Sequence, residues 1–510
     1  MPSLTDSLGS TADEATAHTL HNCLLREVSG PEHQSVVTDG RLLLRLPRRG
    51  VLLRVALRRT SLLGAHRFTG PVAEQRDGEW TEVDWRRLAE YTHDELSLRT
   101  GVSNEEFLEQ LASSHEAVAT SLAATRAVSA PDDRLSAYLA SEQSLLFGHR
   151  FHPTPKARTG DPRAWSAYAP EVGASFPLRH LAVRAGLIAE ECAAASAVAP
   201  LDGLRSDVPD GYRLLPAHPW QLGLVDLREA FADGRLVRIG TTALDAWPTA
   251  AIRTLYASER DLFLKFSLDV RITNDIRRLW RHDLLKLRRT DSAVTSAFAA
   301  LPGPAAWLSD RGYRTADFAF EELAVLVRDG LHDHLLPGAT PLLAAGLVEG
   351  FDGSPLDDAA DPAAWWEAYL KAVVPPALAA FADHGVVLEA HLQNTLVAVD
   401  ADGLPVQALF RDVEGVKLLP DVSREAGWER LVYCLVVNHL TEIAAALAER
   451  RPGLDPWPAA RRELSRHDLP EIAALLTAPT LPGKTNLLLR WTGADGADAR
   501  YLPLPNPLAD

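Results

Sequence analysis

Lysine is scarce in this chain. Of 52 basic residues only six are lysine, at 156, 265, 286, 371, 417 and 484, and the other 46 are arginine. Where arginine serves for general charge, a retained lysine marks a position that calls for a compact point charge. Cysteine is scarcer still. Cys23, Cys192 and Cys434 stand far apart with no CxxC pair, which excludes a disulfide framework and fits a reduced cytoplasm. The fingerprints GxxxxGK[ST], GxGxxG, HExxH and GxSxG are all missing. Any nucleotide is therefore handled without a P-loop or a Rossmann turn. The N-terminus carries no basic segment followed by an apolar run, so no signal peptide is expected. No apolar stretch approaches the ~20 residues of a membrane span. The net charge of -16 argues against nonspecific nucleic-acid binding and leaves small anionic ligands open.

What is present is enough for two or three domains, each with its own core: 510 residues, 46% of them hydrophobic. Helices are expected at 10–28, 83–98, 103–127, 134–147, 318–333, 364–383, 425–449 and 458–476, and an Ala-rich helix at 178–197. Residues 35–58 alternate like strands around a turn. "YRLLPAHPWQ" reads as a strand running into a turn, "AAIRTLYAS" and "LFLKFSLDV" as adjacent strands, and "NDIRRLWRHDLLKLRR" as a helix. Boundaries are expected at the loop "SAPDD" (129–133) and near 300, giving segments 1–133, 134–300 and 301–510. The mixture points to an α+β fold.

Three motifs concentrate chemistry. "GHRFHPTPKARTG" sets His149, His152 and Lys156 on a loop stiffened by two prolines, suited to an anion or nucleotide, or else to imidazoles capping backbone. "HPWQ" (218–221) reads as packing. In "AIRTLYASERDLFLKFSLDVRITNDIRRL", Arg253 and Thr254 precede Lys265 by a hairpin's length, and Arg277 follows. Lys265 lies between Leu264 and Phe266, and a charge in an apolar strand is costly unless an anion answers it. These cations and the hydroxyl could grip phosphates or carboxylates.

The stretch "EAHLQNTLVAVDADGLPVQALFRDVEGV" reads as a strand, a turn at 400–403 and a second strand. It places His391 and Asn394 at one strand end and Asp412 and Glu414 at the next. Such a carboxylate and amide cluster suits Mg²⁺, which takes one or two carboxylates plus substrate phosphates. A strand lysine, a later loop with Asn and then an Asp follow the order of protein-kinase sites, with His391 where a kinase has its Asp. "LPGKTNLLLRW" adds Lys484 near the C-terminus.

In this order, "GHRFHPTPKARTG", "HPWQ", "IRT", "KFSLDVRITNDIRR", "EAHLQN", "FRDVEG" and the "K…LLLR" tail resemble the NRPS-independent siderophore synthetases of the IucA/IucC family. The resemblance covers about residues 148–490. It implies a cupped hand, with an N-terminal thumb, fingers and a distantly kinase-like palm built of antiparallel sheets flanked by helices. It implies ATP and Mg²⁺ between fingers and palm, and activation of a carboxylate, most commonly citrate, as an acyl-adenylate that an amine or hydroxyl attacks. By resemblance Arg253, Thr254 and Lys265 hold phosphates, and His149, His152 and Lys156 line the nucleotide side. Asn394, Asp412 and Glu414 hold metal; Arg277, His391 and Lys484 face the carboxylate; Lys265, Arg277 and His391 are catalytic. The family is often dimeric. Ala251 stands where the family usually has serine, two residues before the Arg of "RT". A kinase-like phosphotransferase and a non-catalytic binding protein are the competing readings.

Overall fold

The computed structural model describes residues 11–509 apart from 61–63, 65, 125–133, 159, 161–164, 193–194, 273–274 and 495–499. The expected boundary at 129–133 lies outside the described residues.

The chain opens with helix Ala12–Leu24, started by a capping box between Thr11 and Glu14. A five-stranded antiparallel meander follows: Ser35–Thr38, Arg41–Leu46, Val51–Arg59, Arg67–Arg76 and Glu79–Val83. Helices Trp85–Thr100 and Glu105–Ala124 cover it. Their shared core contains Leu20, Leu24, Leu44, Leu53, Leu88 and Phe107, joined by Leu487 and Trp491 from the far end of the chain. Glu27 ties that far end down. Its carboxylate accepts the backbone N–H groups of Asn486, Leu487 and Leu488 at 2.7, 2.8 and 2.8 Å.

The middle of the chain is mostly sheet. Strand Arg179–Arg184 lies between Tyr212–Ala217 and Leu236–Thr241. A six-stranded antiparallel sheet runs Trp247–Pro248, Thr254–Ala257, Leu262–Phe266, Val325–Asp329, Asp310–Ala316 and Ile188–Cys192. Two expected helices are thus strands. The Ala-rich stretch 178–197 supplies Arg179–Arg184 and Ile188–Cys192, because pairing with long-range partners overrides alanine's helix propensity. In 318–333 the strand Val325–Asp329 is buried at all five positions. Such a run loses its period of two and cannot be told from buried helix. The sheet also runs across residue 300.

The last third packs helices on a four-stranded sheet ordered Ala306–Leu308, Pro405–Arg411, Thr395–Val399 and Thr340–Leu343. Helix Arg281–Ala300 starts later than expected, since Asp275–Ile276 pairs with Arg271–Ile272 first. The stretch 458–476 is two helices, Trp457–Leu464 and Pro470–Thr477, the second started by a proline at its first turn. The continuous helix Arg424–Arg450 is long and apolar enough to cross a membrane by length and composition, against the expectation that no segment comes close. Yet 89% of its apolar window is buried in the fold, as in a core helix. Its central part, Val432–Leu440, is π-helical and turns Tyr433, Cys434 and Asn438 toward the cavity described next.

Candidate active site

A cavity of about 520 Å³ opens where strands Thr254–Ala257 and Leu262–Phe266 face the loop after helix Arg134–Gln143, the turn 389–394 and strand Thr480–Lys484. Every residue assigned a site role from the sequence lines it except Glu414, which reaches it through Arg253 and Lys265.

At its centre is a charge network. The antiparallel register sets Thr254 opposite Lys265. The Lys265 side chain is 2% exposed, and its Nζ donates to Asp412 Oδ1 at 2.6 Å and Glu414 Oε2 at 2.7 Å. Arg253 donates to the same Glu414 oxygen at 2.9 Å. On the next strand Arg328 donates to Asp310 at 2.6 and 3.1 Å and to Asp412 at 3.2 Å. Burial works against the charge on Asp412, but Lys265 and Arg328 outweigh it and hold the carboxyl far below its usual range. Glu414 is held at about 2: burial opposes its charge, and Lys265 and Arg253 prevail. This pairing is what makes a lysine tolerable in a strand with every residue buried.

Two residues beside the network have left-handed backbone, Ile252 at φ 63° and Asp412 at φ 78°. For a β-branched side chain this is rare, and such strain collects at functional sites. One buried carboxylate holds both turns. Glu142 accepts from Arg411 at 2.6 and 3.2 Å, next to Asp412, and from the Ala250 N–H at 3.0 Å, two residues before Ile252.

The substrate-side residues differ in their engagement. Burial and the nearby Arg253 lower the Arg277 guanidinium, and the carbonyls of Arg277 and Arg278 accept from Arg253 at 2.9 and 3.1 Å. Two residues of the "TND" turn, 273 and 274, lie outside the described residues. Burial lowers the His391 imidazole, which stands neutral with Nε2 3.9 Å from Glu389. The Lys484 side chain makes no hydrogen bond or ion pair among the described residues. Glu389 is held by Arg430 at 2.8 Å and passes so close to Gly415 that a Cβ there would sit 1.8 Å from its Oε2.

The proline-stiffened loop is more structural than its sequence implies. Lys156 and Arg158 both donate to Glu171 at 2.5 Å, so the Lys156 charge is already answered although the residue lines the cavity. Its ammonium is held between that carboxylate and the Leu145 carbonyl. His149 and His152 accept backbone N–H groups at Nδ1, from Phe151 at 3.1 Å and Thr154 at 3.2 Å. The surrounding cavity walls, with Arg26, His391 and Lys484, lower the His149 imidazole, although its side chain is open to solvent. His218 likewise caps Trp220, as a packing role implies.

A family model described as the IucA / IucC family matches residues 137–349, the stretch that supplies the loop, the hairpin and Arg328. Residues 137–349 belong to the IucA/IucC family.

A second model, described as "Ferric iron reductase FhuF-like transporter", matches residues 363–499. Among curated relatives, the L-2,3-diaminopropanoate–citrate ligase of Staphylococcus aureus is 29% identical over 73% of this chain and 74% of its own. The rhizobactin siderophore biosynthesis protein RhbC of Rhizobium meliloti is 28% identical over 97% of each. ATP-bound aerobactin synthetase IucA from Klebsiella pneumoniae matches the fold with a TM-score of 0.83 at 24% identity, over 97% of this chain and 99% of that one. The petrobactin biosynthesis protein AsbB from Bacillus anthracis gives 0.78 at 16% over 97% and 94%. Both matched segments thus fall within one IucA/IucC fold, in which mixed helices and antiparallel sheets are shared.

Several residues of this IucA/IucC site escape sequence reading. Arg328 carries the same signature as Lys265, a cation in the apolar run "AVLVRDG", but that run reads as helix. Asp310, Glu142 and Glu171 show nothing locally, because their partners are 18, 269 and 15 residues away. The donor set suits magnesium. Two ionised carboxylates share one ammonium beside Asn394, and among the described residues no group of three or more His, Cys, Asp or Glu could hold a metal alone. A magnesium ion here would complete its shell with ligand oxygens, as it ordinarily does.

Proposed function

We propose that this protein is an ATP-dependent ligase of siderophore biosynthesis, joining citrate or a citrate-like acid to an amine or hydroxyl and releasing AMP and pyrophosphate. The observation that carries this reading is the Lys265 network: one buried ammonium, flanked by Arg253, held by two carboxylates at the mouth of a cavity with further cations at Arg277 and Lys484. The kinship with named citrate ligases supports it. On this reading the segments 1–133, 134–300 and 301–510 act as thumb, fingers and palm, with the nucleotide between the last two.

The chemistry has two steps. A carboxylate oxygen of the acid attacks the α-phosphorus of ATP, the bond to pyrophosphate breaks, and an acyl-adenylate forms. Arg253, Thr254 and Lys265 bind the phosphates, placing fixed positive charge where negative charge develops. Magnesium, held by Asp412, Glu414 and Asn394, supplies further neutralisation of the triphosphate. Arg277 and Lys484 orient the acid, a role that fits the unpaired state of Lys484. The nucleophile then attacks the acyl carbon, the bond to AMP breaks, and a proton must leave. Neutral His391 is placed to take it.

Trapping the activated acid with hydroxylamine, and measuring pyrophosphate release with citrate and a panel of acids, tests the reading. Citrate-dependent hydroxamate with stoichiometric pyrophosphate is expected. ADP without pyrophosphate would overturn it in favour of a phosphotransferase.

A further inference from the structure

Arg253 and Lys265, the cations assigned to the phosphates, are already answered by the protein itself. Lys265 donates to Asp412 Oδ1 at 2.6 Å and to Glu414 Oε2 at 2.7 Å, and Arg253 donates to the same Glu414 oxygen at 2.9 Å. Arg328 is shared between Asp310 and Asp412. Three cations thus face three carboxylates, and the group as a whole is neutral. A polyanion finds no surplus positive charge there unless a carboxylate gives way.

Of the three carboxylates, Glu414 is the one placed to leave. Asp310 is fully buried, accepts from Arg328 at 2.6 and 3.1 Å, and also accepts the Val413 N–H at 3.0 Å. Asp412 is held from two sides, by Lys265 and Arg328, on a backbone at φ 78°. Glu414 sits on the turn Val413–Gly415 with its side chain 35% exposed. Both hydrogen bonds to it fall on Oε2, and Oε1 accepts none among the described residues.

We propose that Glu414 is a selectivity residue: its carboxylate occupies a phosphate seat between Arg253 and Lys265 and yields it only to a polyphosphate that arrives with a divalent cation. The proposal rests on the ligase reading above and concerns the form in which ATP is admitted. A metal-free triphosphate must strip Glu414 of two charge-assisted hydrogen bonds and then lie beside two carboxylates that nothing neutralises. A magnesium-bound triphosphate brings the countercharge that Glu414 and Asp412 then require. Arg253 and Lys265 exchange a carboxylate for phosphate oxygen, and Glu414 exchanges two nitrogens for the metal. The same competition keeps free anions such as citrate and pyrophosphate off these two cations.

Isothermal titration calorimetry with ATP tests this, in EDTA and in excess magnesium, on the wild type and on Glu414→Gln. That variant keeps the side chain's length and an acceptor oxygen but drops the charge. The wild type is expected to bind magnesium-bound ATP roughly tenfold or more tighter than metal-free ATP. Glu414→Gln is expected to bind metal-free ATP roughly tenfold tighter than the wild type does, and to gain nothing with the magnesium-bound form. The ratio of the two constants therefore falls by about tenfold or more. Pyrophosphate in EDTA is expected to follow metal-free ATP. Glu414→Ala is expected to move the ratio in the same direction, so the outcome does not hang on one variant folding. Unchanged affinity for metal-free ATP, with weaker binding of the magnesium-bound form, would make Glu414 a metal ligand alone and overturn the proposal. Equal weakening of both forms would make its role structural and also overturn it. So would a wild type that binds both forms alike, or neither. Pyrophosphate release with citrate is scored separately in the wild type: its absence brings down the ligase reading, whereas an unmoved ratio brings down only the role of Glu414.

Discussion

Lys265 and Lys484 are both cavity lysines, yet their surroundings predict opposite behaviour on removal. Lys265 is buried and answers Asp412 and Glu414, so Lys265→Ala leaves two carboxylates facing each other. It should lower the melting temperature by a few degrees, a moderate amount because both carboxylates keep some solvent. It should also cut adenylation by roughly 10²- to 10³-fold with every acid. The Lys484 side chain has no hydrogen-bond or ion-pair partner to abandon among the described residues. Lys484→Ala should leave the melting temperature unchanged and raise KM for the acid, with ATP binding near wild type. Calorimetry and separate titrations of ATP and acid decide between these patterns. His391 gives a pH signature. Burial holds its folded pKa below the ordinary imidazole value, so the neutral form persists until the pH falls well under that value. The acid limb of amide formation should therefore lie below about 6.5 and vanish in His391→Gln. A limb at or above the ordinary value would remove His391 from the proton transfer. Lys265 is legible in the sequence because a charge between Leu264 and Phe266 needs a reason. Lys156 shows the limit of that logic: its rarity is equally real, but its reason is Glu171, an internal partner that no local pattern announces.

At the scale of elements, what the sequence makes readable is the hairpin that pairs Thr254 with Lys265 and the strand pair that ends at Asp412. Leu262–Phe266 and Thr395–Val399 are buried throughout, so neither pair is read from alternation; each is read from the turn that joins its strands. What it hides are strands buried on both faces, such as Val325–Asp329, and the tie between elements remote in sequence. Glu142 is such a tie, joining helix Arg134–Gln143 to the turns at Ile252 and Asp412. Glu142→Ala should release both strained turns and leave Arg411 buried without its carboxylate. Activity should fall by more than the loss of folded protein accounts for, measured as kcat per folded molecule. Full activity would show that the turns hold themselves. Gly415→Ala tests the neighbouring turn. Its methyl would collide with Glu389, which Arg430 anchors, so the turn or the carboxylate must move. The expected result is a raised KM for the acid together with a lowered melting temperature.

The whole molecule carries an unusual load of uncharged buried histidine. Burial pushes His21 and His218 down to about 3, and His66, His180 and His439 to about 4. Their folded values lie below the unfolded one, so on acidification the unfolded chain takes protons first. Their stabilisation is complete above about pH 6.5 and is lost progressively below it. Glu27, raised by burial to about 7, and Asp291, raised to about 6, act in the opposite sense but are outnumbered. The urea midpoint should therefore fall between pH 7 and pH 5; a flat or rising midpoint would contradict this. The other whole-molecule feature is the crossing of the chain's two ends. Leu487 and Trp491 fill the core built by the first hundred residues, and Glu27 grips the backbone just beyond Lys484. On the ribosome, that first core waits with a gap for some 380 residues of further translation. Until the late stretch emerges and docks, the nascent chain has neither a finished opening unit nor its cavity lysine, so the cavity is completed only once synthesis has passed that point.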